Sequence, residues 1–178
     1  NSFVHHARNY ETYSPVIGYV FYVCDMTLEI KGPRYYGNDD HNDDSIISLV
    51  RYGDTSFLVG GDTNADTEQQ LLYQDIQADV MLANHHGSKG STSRTWLEAV
   101  DPQHIVISCG KDNPYGHPGE TVMQRISQTD ASLYRTDESG TIVFTGDGQS
   151  VSLSAGIPFG FYSAVEAEVQ GSVDSSSG

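Results

Sequence analysis

The sequence is poor in cysteine and lysine and contains no long apolar run. Its two cysteines, Cys24 and Cys109, each lie in an apolar stretch, which predicts buried free thiols; a disulfide between them is the alternative. No apolar run approaches the roughly 18 residues that a membrane helix needs, and the start lacks the charged and then apolar pattern of a signal peptide. The sequence therefore predicts no membrane segment in this chain.

Positive charge is also scarce. The chain has 9 Lys and Arg against 24 Asp and Glu, a formal net charge of −15. A general nucleic-acid binder would carry a basic stripe instead, because counterion release drives its binding. The acidic surface should repel polyanions except where a metal ion or a local Lys or Arg intervenes. Better solubility and adaptation to a salty habitat are both consistent with this composition.

The 178 residues suffice for one domain with its own core. Strand-like runs alternate with helix-like segments, which predicts an α/β layered fold. We predict one or two strands within 16–30, further strands at 45–51, 55–59, 80–83, 104–109, 132–135, 141–145 and 151–153, and helices at 65–74, 93–100 and 118–128. Residues 155–178 shift to Gly, Ser, Ala and Glu and predict a flexible tail, which leaves 1–154 as the folded domain.

Two of the predicted strands end in residues that can bind a metal. The apolar run 57–59 stops at Gly-Gly-Asp62, and the run 80–83 stops at Asn84-His85-His86. In a parallel α/β layer both strand ends lie on one edge, because the crossover helix returns the chain to its starting side. A carboxylate beside an imidazole suits zinc, manganese or iron. A structural carboxylate at the start of a helix is the alternative for Asp62. Because side chains alternate along a strand, we expect only one of the two histidines to face the metal.

Two further segments offer groups for substrate. His117 precedes a predicted helix, and a helix start can hold an anion while a histidine there donates a proton; a structural loop histidine is the alternative. Asn113 and Tyr115 could add hydrogen bonds to the same ligand. The loop after the histidine pair carries hydroxyls and a cation that could hold phosphate, with a flexible loop and helix cap as the alternative. These loop candidates are Ser88, Lys89, Ser91 and Thr92.

The motifs resemble the C-terminal half of the metallo-β-lactamase fold, in particular the hydrolase domain attached to the DNA-uptake channel protein ComEC and its stand-alone relatives. The likeness rests on GD followed by HHGS, on ISCGKDNPYGHP at 107–118 and on YRTDESGTI at 134–142. It runs from about Asp43 to Gly148, over half the chain. The resemblance implies an αββα sandwich, of which this chain is the C-terminal part.

The resemblance also implies the site and its ions. Asp62 would bridge two divalent metals, zinc foremost, with manganese or iron as alternatives. The family pattern places a ligand just before glycine, which favours His86, with His85 as the fallback. His5 matches a short H-x-x-x-x-Y-E stretch of related hydrolases. His117 would contact the leaving group or a phosphate oxygen.

The family's main metal motif, H-x-H-x-D-H, is absent from the sequence. Zinc catalysis normally needs three protein ligands and an open water position. We expect that the chain is part of a longer hydrolase whose first half precedes it; a degenerate module without catalysis is the alternative. One half alone would expose an apolar sheet face, which the missing half would cover.

The predicted reaction is metal-assisted hydrolysis of a phosphodiester. DNA is a substrate by resemblance, and the acidic surface argues against it. Hydrolysis of an ester, thioester or lactam on the same fold is the second possibility, and a non-catalytic binding module is the third. By resemblance the domain is linked to competence and is extracytoplasmic or secreted.

Overall fold

A mixed sheet of seven strands organises the residues that the computed structural model describes, 14–37 and 39–160. The strands lie side by side in chain order. They are β1 Val20–Val23, β2 Met26–Gly32, β3 Ile47–Tyr52, β4 Thr55–Val59, β5 Val80–Leu82, β6 His104–Ile107 and β7 Ser132–Arg135. Strands β1 to β4 pair antiparallel, and β4 to β7 pair parallel. A separate hairpin joins β8 Val143–Gly146 to β9 Val151–Ala155.

Three short helices connect the parallel strands: α1 Ala65–Leu71, α2 Arg94–Val100 and α3 Glu120–Ile126. Helix α4 Thr136–Ser139 follows β7, and 3₁₀ turns lie at His41–Asp44 and Asn84–Gly87. The side chains of Asn64 and Ser93 cap α1 and α2, since each accepts a hydrogen bond from a free backbone N–H of the first turn. Helix α3 begins at Glu120 after the cap residue Gly119, so the prediction of a helix from Pro118 was wrong by two residues.

The core lies between one sheet face and helices α1, α2 and α3. In-register sheet positions contribute Leu49, Leu58, Met81, Ile105 and Leu133. The helices contribute Leu71, Trp96, Leu97, Val100, Val122 and Ile126. Burying one such aliphatic side chain contributes about 1.5–3 kcal/mol, so this layer is the main source of stability.

The other sheet face is only partly covered. Phe144 of the β8–β9 hairpin packs on the rings of His104 and Tyr134, with centroids 4.9 and 5.1 Å away, so His104 contributes to the packing on this face. Val59 on the same face remains 41% exposed. The predicted α/β class is thus confirmed. The residues that the structure describes form one large sheet, without the second large sheet that an αββα sandwich requires.

None of the helices in the described ranges has the length and apolar character needed to cross a bilayer.

Both cysteines are free, but the prediction that both are buried was wrong. Cys24 lies in the β1–β2 turn with φ 52° and is exposed, because the apolar run 16–30 bends there instead of entering the core. Cys109 follows β6 and is half-buried. The pKa of the Cys109 thiol is raised to about 11. Burial is the largest cause, and a hydrogen bond to Asp137 is the second.

We therefore expect iodoacetamide to alkylate Cys24 well before Cys109 at pH 8, because only the thiolate reacts. Mass spectrometry of peptides from a time course would measure the two rates. An Asp137→Asn variant, which removes the carboxylate partner, should speed the reaction of Cys109 and leave that of Cys24 unchanged. Equal rates for the two cysteines in the unmodified protein would contradict the description of Cys109.

Candidate metal-binding and catalytic site

The carboxyl ends of β4, β5 and β6 meet at one edge of the sheet, as the parallel order requires. Asp62 follows β4, the Asn84–Gly87 turn follows β5, and Ser108 follows β6. Asp62 Oδ1 lies 3.3 Å from His86 Nε2. The prediction that Asp62 and one histidine come together at this edge is confirmed, although more than 20 residues separate them in the sequence.

The His86 ring is held in one orientation by a backbone contact. Its Nδ1 lies 2.7 Å from the Ser108 carbonyl oxygen, which can only accept, so Nδ1 carries the proton. In a neutral ring the lone pair of Nε2 then faces Asp62 Oδ1, and two acceptors point at each other. A positive charge between them, either a proton or a metal ion, resolves this contact. Metal-binding histidines typically donate their second ring N–H to a carbonyl in this way, so the pair fits two metal ligands.

His85 and His86 lie beyond the end of β5, in the Asn84–Gly87 turn. Their φ values are 49° and 56°, in the left-handed region that costs a non-glycine residue about 1–2 kcal/mol. Strand alternation, from which we expected only one histidine to face a metal, does not apply here because both residues lie beyond β5; which of them binds a metal stays a prediction. The His85 ring centroid lies 5.8 Å from that of His117 and 6.4 Å from that of His86. Both histidines border the site, and His86 is the one that contacts Asp62.

His117 lies on the loop after β6, which Asn113 braces. The Asn113 amide donates to the His117 carbonyl at 2.6 Å and to the Gly110 carbonyl at 2.9 Å, and it accepts from the His117 N–H at 3.0 Å. The exposed Tyr115 ring stacks near His117, with centroids 5.9 Å apart. Asn113 therefore holds the loop, while Tyr115 and His117 remain available to a ligand.

The imidazole of His117 favours its neutral form. Partial burial is the largest cause of its lowered pKa, followed by the positive charges that His85 and His86 carry when protonated; Asp62 acts in the opposite direction. A histidine whose folded pKa lies below its unfolded value contributes stability that is present above the unfolded pKa of about 6.5 and is lost as pH falls below it.

We accordingly expect the Cε1–H resonance of His117 in the metal-free protein to titrate with a midpoint below the value of about 6.5 that an unperturbed histidine shows. Two-dimensional NMR over pH 4.5–8 would measure this midpoint. His117→Gln should also flatten the loss of stability on acidification below about pH 6.5. A His117 midpoint at or above about 6.5 would contradict the described surroundings.

A cleft of about 440 Å³ opens beside the pair. Its walls are formed by His86, Ser108, Cys109, Gly110, Asn113, Tyr115 and His117. Its size suits a small ligand or one unit of a longer one. Two imidazoles and a phenol at its wall can hold an anionic oxygen and exchange a proton with it.

The loop that follows the histidine pair is turned largely inward. Ser91 and Thr92 are fully buried, and the Ser91 hydroxyl lies 2.7 Å from the Asn84 carbonyl, to which it donates. The predicted contact of Ser91 and Thr92 with substrate does not fit this burial. The prediction rested on composition, which does not tell which way a loop side chain points. Lys89 is exposed and Ser88 half-buried, so substrate contact by these two stays a prediction.

The predicted ligand His5 lies outside the described residues. Within 14–37 and 39–160, no three or more His, Cys, Asp or Glu side chains gather closely enough to hold an ion. A catalytic zinc site normally needs three protein ligands, so the Asp62–His86 pair alone would be one ligand short.

The sequence analysis missed two contributors to the site. The Ser108 carbonyl is a backbone group and leaves no compositional signal. Glu68 is fully buried next to the Asn84–Gly87 turn that carries both histidines, called the histidine turn below, and it did leave a signal in the sequence. It precedes Leu71 by three residues, so it falls on the same inward stripe of α1 as that core leucine. A charged residue on an apolar stripe marks a buried polar contact.

The comparisons with known proteins cover this part of the chain. No protein-family model matches it. It is 32% identical over 129 residues to ComE operon protein 3 of Bacillus subtilis, covering 71% of this chain and 17% of the relative. It is 35% identical over 122 residues to Competence protein ComA of Neisseria gonorrhoeae, covering 67% and 18%. With Recombination protein 2 of Haemophilus influenzae the identity is 31% over 137 residues, covering 77% and 17%. The chain spans about a sixth of the length of these relatives.

Proposed function

We propose that this chain carries part of a metal-dependent hydrolase with a metallo-β-lactamase-like fold, acting on a phosphodiester. The similar competence proteins support a ComEC-related family for the chain, and the proposal starts from that relationship. The single observation that supports a metal is the Asp62–His86 pair, in which Nε2 and a carboxylate oxygen lie 3.3 Å apart while the Ser108 carbonyl fixes the other ring nitrogen. The fold and the reaction are extensions of the family resemblance.

Asp62 and His86 would hold the metal from this chain, with His85 next to them. Imidazole and carboxylate suit zinc first, and manganese or iron as alternatives. Because the described residues supply only two well-placed ligands, at least one more must come from outside them; His5 and the family's H-x-H-x-D-H motif are the candidates. In the complete domain Asp62 would contribute to the binding of two ions. A bound ion would supply Lewis acidity and lower the pKa of water.

The chain's own residues would bind the scissile group and move a proton. His117 lies beside His85 and lines the cleft, and its lowered pKa leaves the ring neutral before substrate arrives. A phosphate anion placed next to it would favour the protonated form, because a negative charge raises a histidine pKa. Protonation would then accompany binding, and His117 could pass that proton to the leaving oxygen. Lys89 would add a local positive charge in a chain whose net charge is −15.

The substrate proposal can be tested with chromogenic compounds. The protein would be expressed from its complete reading frame, stripped of metal and reloaded with zinc, manganese or iron. We expect hydrolysis of bis(p-nitrophenyl) phosphate and none of nitrocefin or p-nitrophenyl acetate above background. Hydrolysis of the ester or lactam alone would favour the second enzyme class. No hydrolysis and no metal uptake would favour a non-catalytic binding module. DNA would be tried next, since the net charge of −15 opposes a polyanion unless the metal offsets it.

A further inference from the structure

Glu68 is a fully buried acid on the inward face of α1, in a chain whose other acids are mostly at the surface. Acids are almost never buried completely unless partners compensate, because removing a carboxylate from water is costly. The presence of a glutamate at position 68 therefore needs a reason beyond packing, since a leucine there would suit the apolar stripe of α1 better.

The carboxylate of Glu68 joins three separate segments. Its Oε1 accepts a hydrogen bond from Asn84 Nδ2 at 2.8 Å and from the Thr92 N–H at 2.6 Å. Its Oε2 accepts from the Ser93 N–H at 2.8 Å. Helix α1 is thereby tied to the histidine turn through Asn84 and to the start of α2 through the other two residues.

Asn84 lies against the loop that carries Asp62. A Cβ atom added to Gly60 would come within 2.2 Å of Asn84 Oδ1, so only glycine lets the two segments approach this closely. Directly beside this contact, the His85 N–H donates to the Gly61 carbonyl at 2.9 Å. The Asn84 side chain is thus held between Gly60 on one side and Glu68 on the other.

We propose that Glu68 is a positioning residue that, through Asn84, fixes the histidine turn relative to the Asp62 loop. Two successive histidines in left-handed backbone conformations persist only when neighbouring contacts hold them. The Glu68–Asn84 bond supplies such a contact directly before the two histidines. The consequence for metal binding rests on the proposed function; the consequence for the turn does not.

Glu68→Gln is the main test, because glutamine keeps the shape but offers one acceptor oxygen to the three donors Asn84 Nδ2, Thr92 N–H and Ser93 N–H and turns its N–H₂ toward at least one of them. Two quantities are compared with the unmodified protein. The first is amide hydrogen exchange at His85 in the metal-free protein, measured by NMR. The second is affinity for Co²⁺ followed by its visible absorption. We expect exchange at His85 to be about tenfold faster, and Co²⁺ affinity to fall by about 10–100-fold, the range typical of groups that orient metal ligands.

Asp79→Asn is the matched control. Asp79 is a partly buried carboxylate that, like Glu68, has three partners: the Ser56 N–H at 2.7 Å, the Ser56 hydroxyl at 2.8 Å and the Gln103 amide at 3.0 Å. It precedes β5, at the sheet edge opposite the histidine turn. Its loss should lower stability without changing exchange at His85 or Co²⁺ affinity relative to the unmodified protein.

The outcomes separate positioning from general stability. Equal exchange in Glu68→Gln and Asp79→Asn, or unchanged exchange in both, would overturn the inference. If Glu68→Gln does not fold, Asn84→Ala carries the test, because it removes the Glu68–Asn84 hydrogen bond and leaves Glu68 its two backbone donors. If the unmodified protein binds no Co²⁺, the proposed function fails, while exchange at His85 still decides the role of Glu68.

Discussion

Replacing His86 with alanine should lower phosphodiester hydrolysis by about a thousandfold and weaken metal binding in parallel. A metal ion at a reacting oxygen is worth several kcal/mol of transition-state stabilisation, and each 1.36 kcal/mol corresponds to a factor of ten in rate. His86 is 52% exposed and lies outside the core, so its removal should cost little folding free energy. The measurement is kcat/KM on bis(p-nitrophenyl) phosphate, together with metal content after dialysis.

Histidine replacements elsewhere provide the controls. His41→Ala removes an exposed histidine from the His41–Asp44 turn and should leave both quantities unchanged. His85→Ala should have an intermediate effect, because His85 faces His117 and not Asp62. An active, metal-loaded His86→Ala protein would remove His86 from the ligand set and favour His85 instead.

Replacing Trp96 with alanine should destabilise the fold by about 3–5 kcal/mol, the usual cost of deleting a large aromatic side chain from a core. Trp96 is fully buried on α2, where it packs in the cluster shared with β5 and β6. The loss combines the transfer of apolar surface with the cavity that neighbours cannot refill. Urea unfolding at pH 7, followed by circular dichroism, would measure the change.

Trp96→Phe is the matched comparison. The indole N–H is buried and has no hydrogen-bond partner among the described residues, so phenylalanine removes a polar group that gains nothing from burial. We expect phenylalanine to cost clearly less than alanine. A Trp96→Ala protein within 1 kcal/mol of the original would mean that α2 does not pack on the sheet as described.

The convergence of Asp62 and His86 was predictable because it follows from topology. Two apolar runs separated by a helix pattern imply parallel strands, and parallel strands bring their carboxyl ends together. The helix that Asn64 caps and the hairpin at 45–59 were equally accessible, because capping residues and turn residues act locally. Local signals and one topological rule therefore sufficed for the scaffold of the site.

Features that depend on which way a side chain turns were not predictable. The histidine pair was expected to alternate as in a strand, but the chain leaves β5 before His85 and takes a left-handed turn. Ser91 and Thr92 sit in a polar loop that would normally face water, yet Glu68 and Asn84 draw this loop inward. These are tertiary contacts between segments more than six residues apart, and no local pattern encodes them.

The most direct test of the metal site is anomalous diffraction at the zinc edge, with crystals of the protein expressed from its complete reading frame and grown with zinc. We expect a peak about 2.0–2.2 Å from both Asp62 Oδ1 and His86 Nε2, the distances at which zinc binds oxygen and nitrogen ligands. Zinc found only on the acidic 39–44 loop, with Asp62 and His86 still in direct contact, would contradict a metal role for the pair.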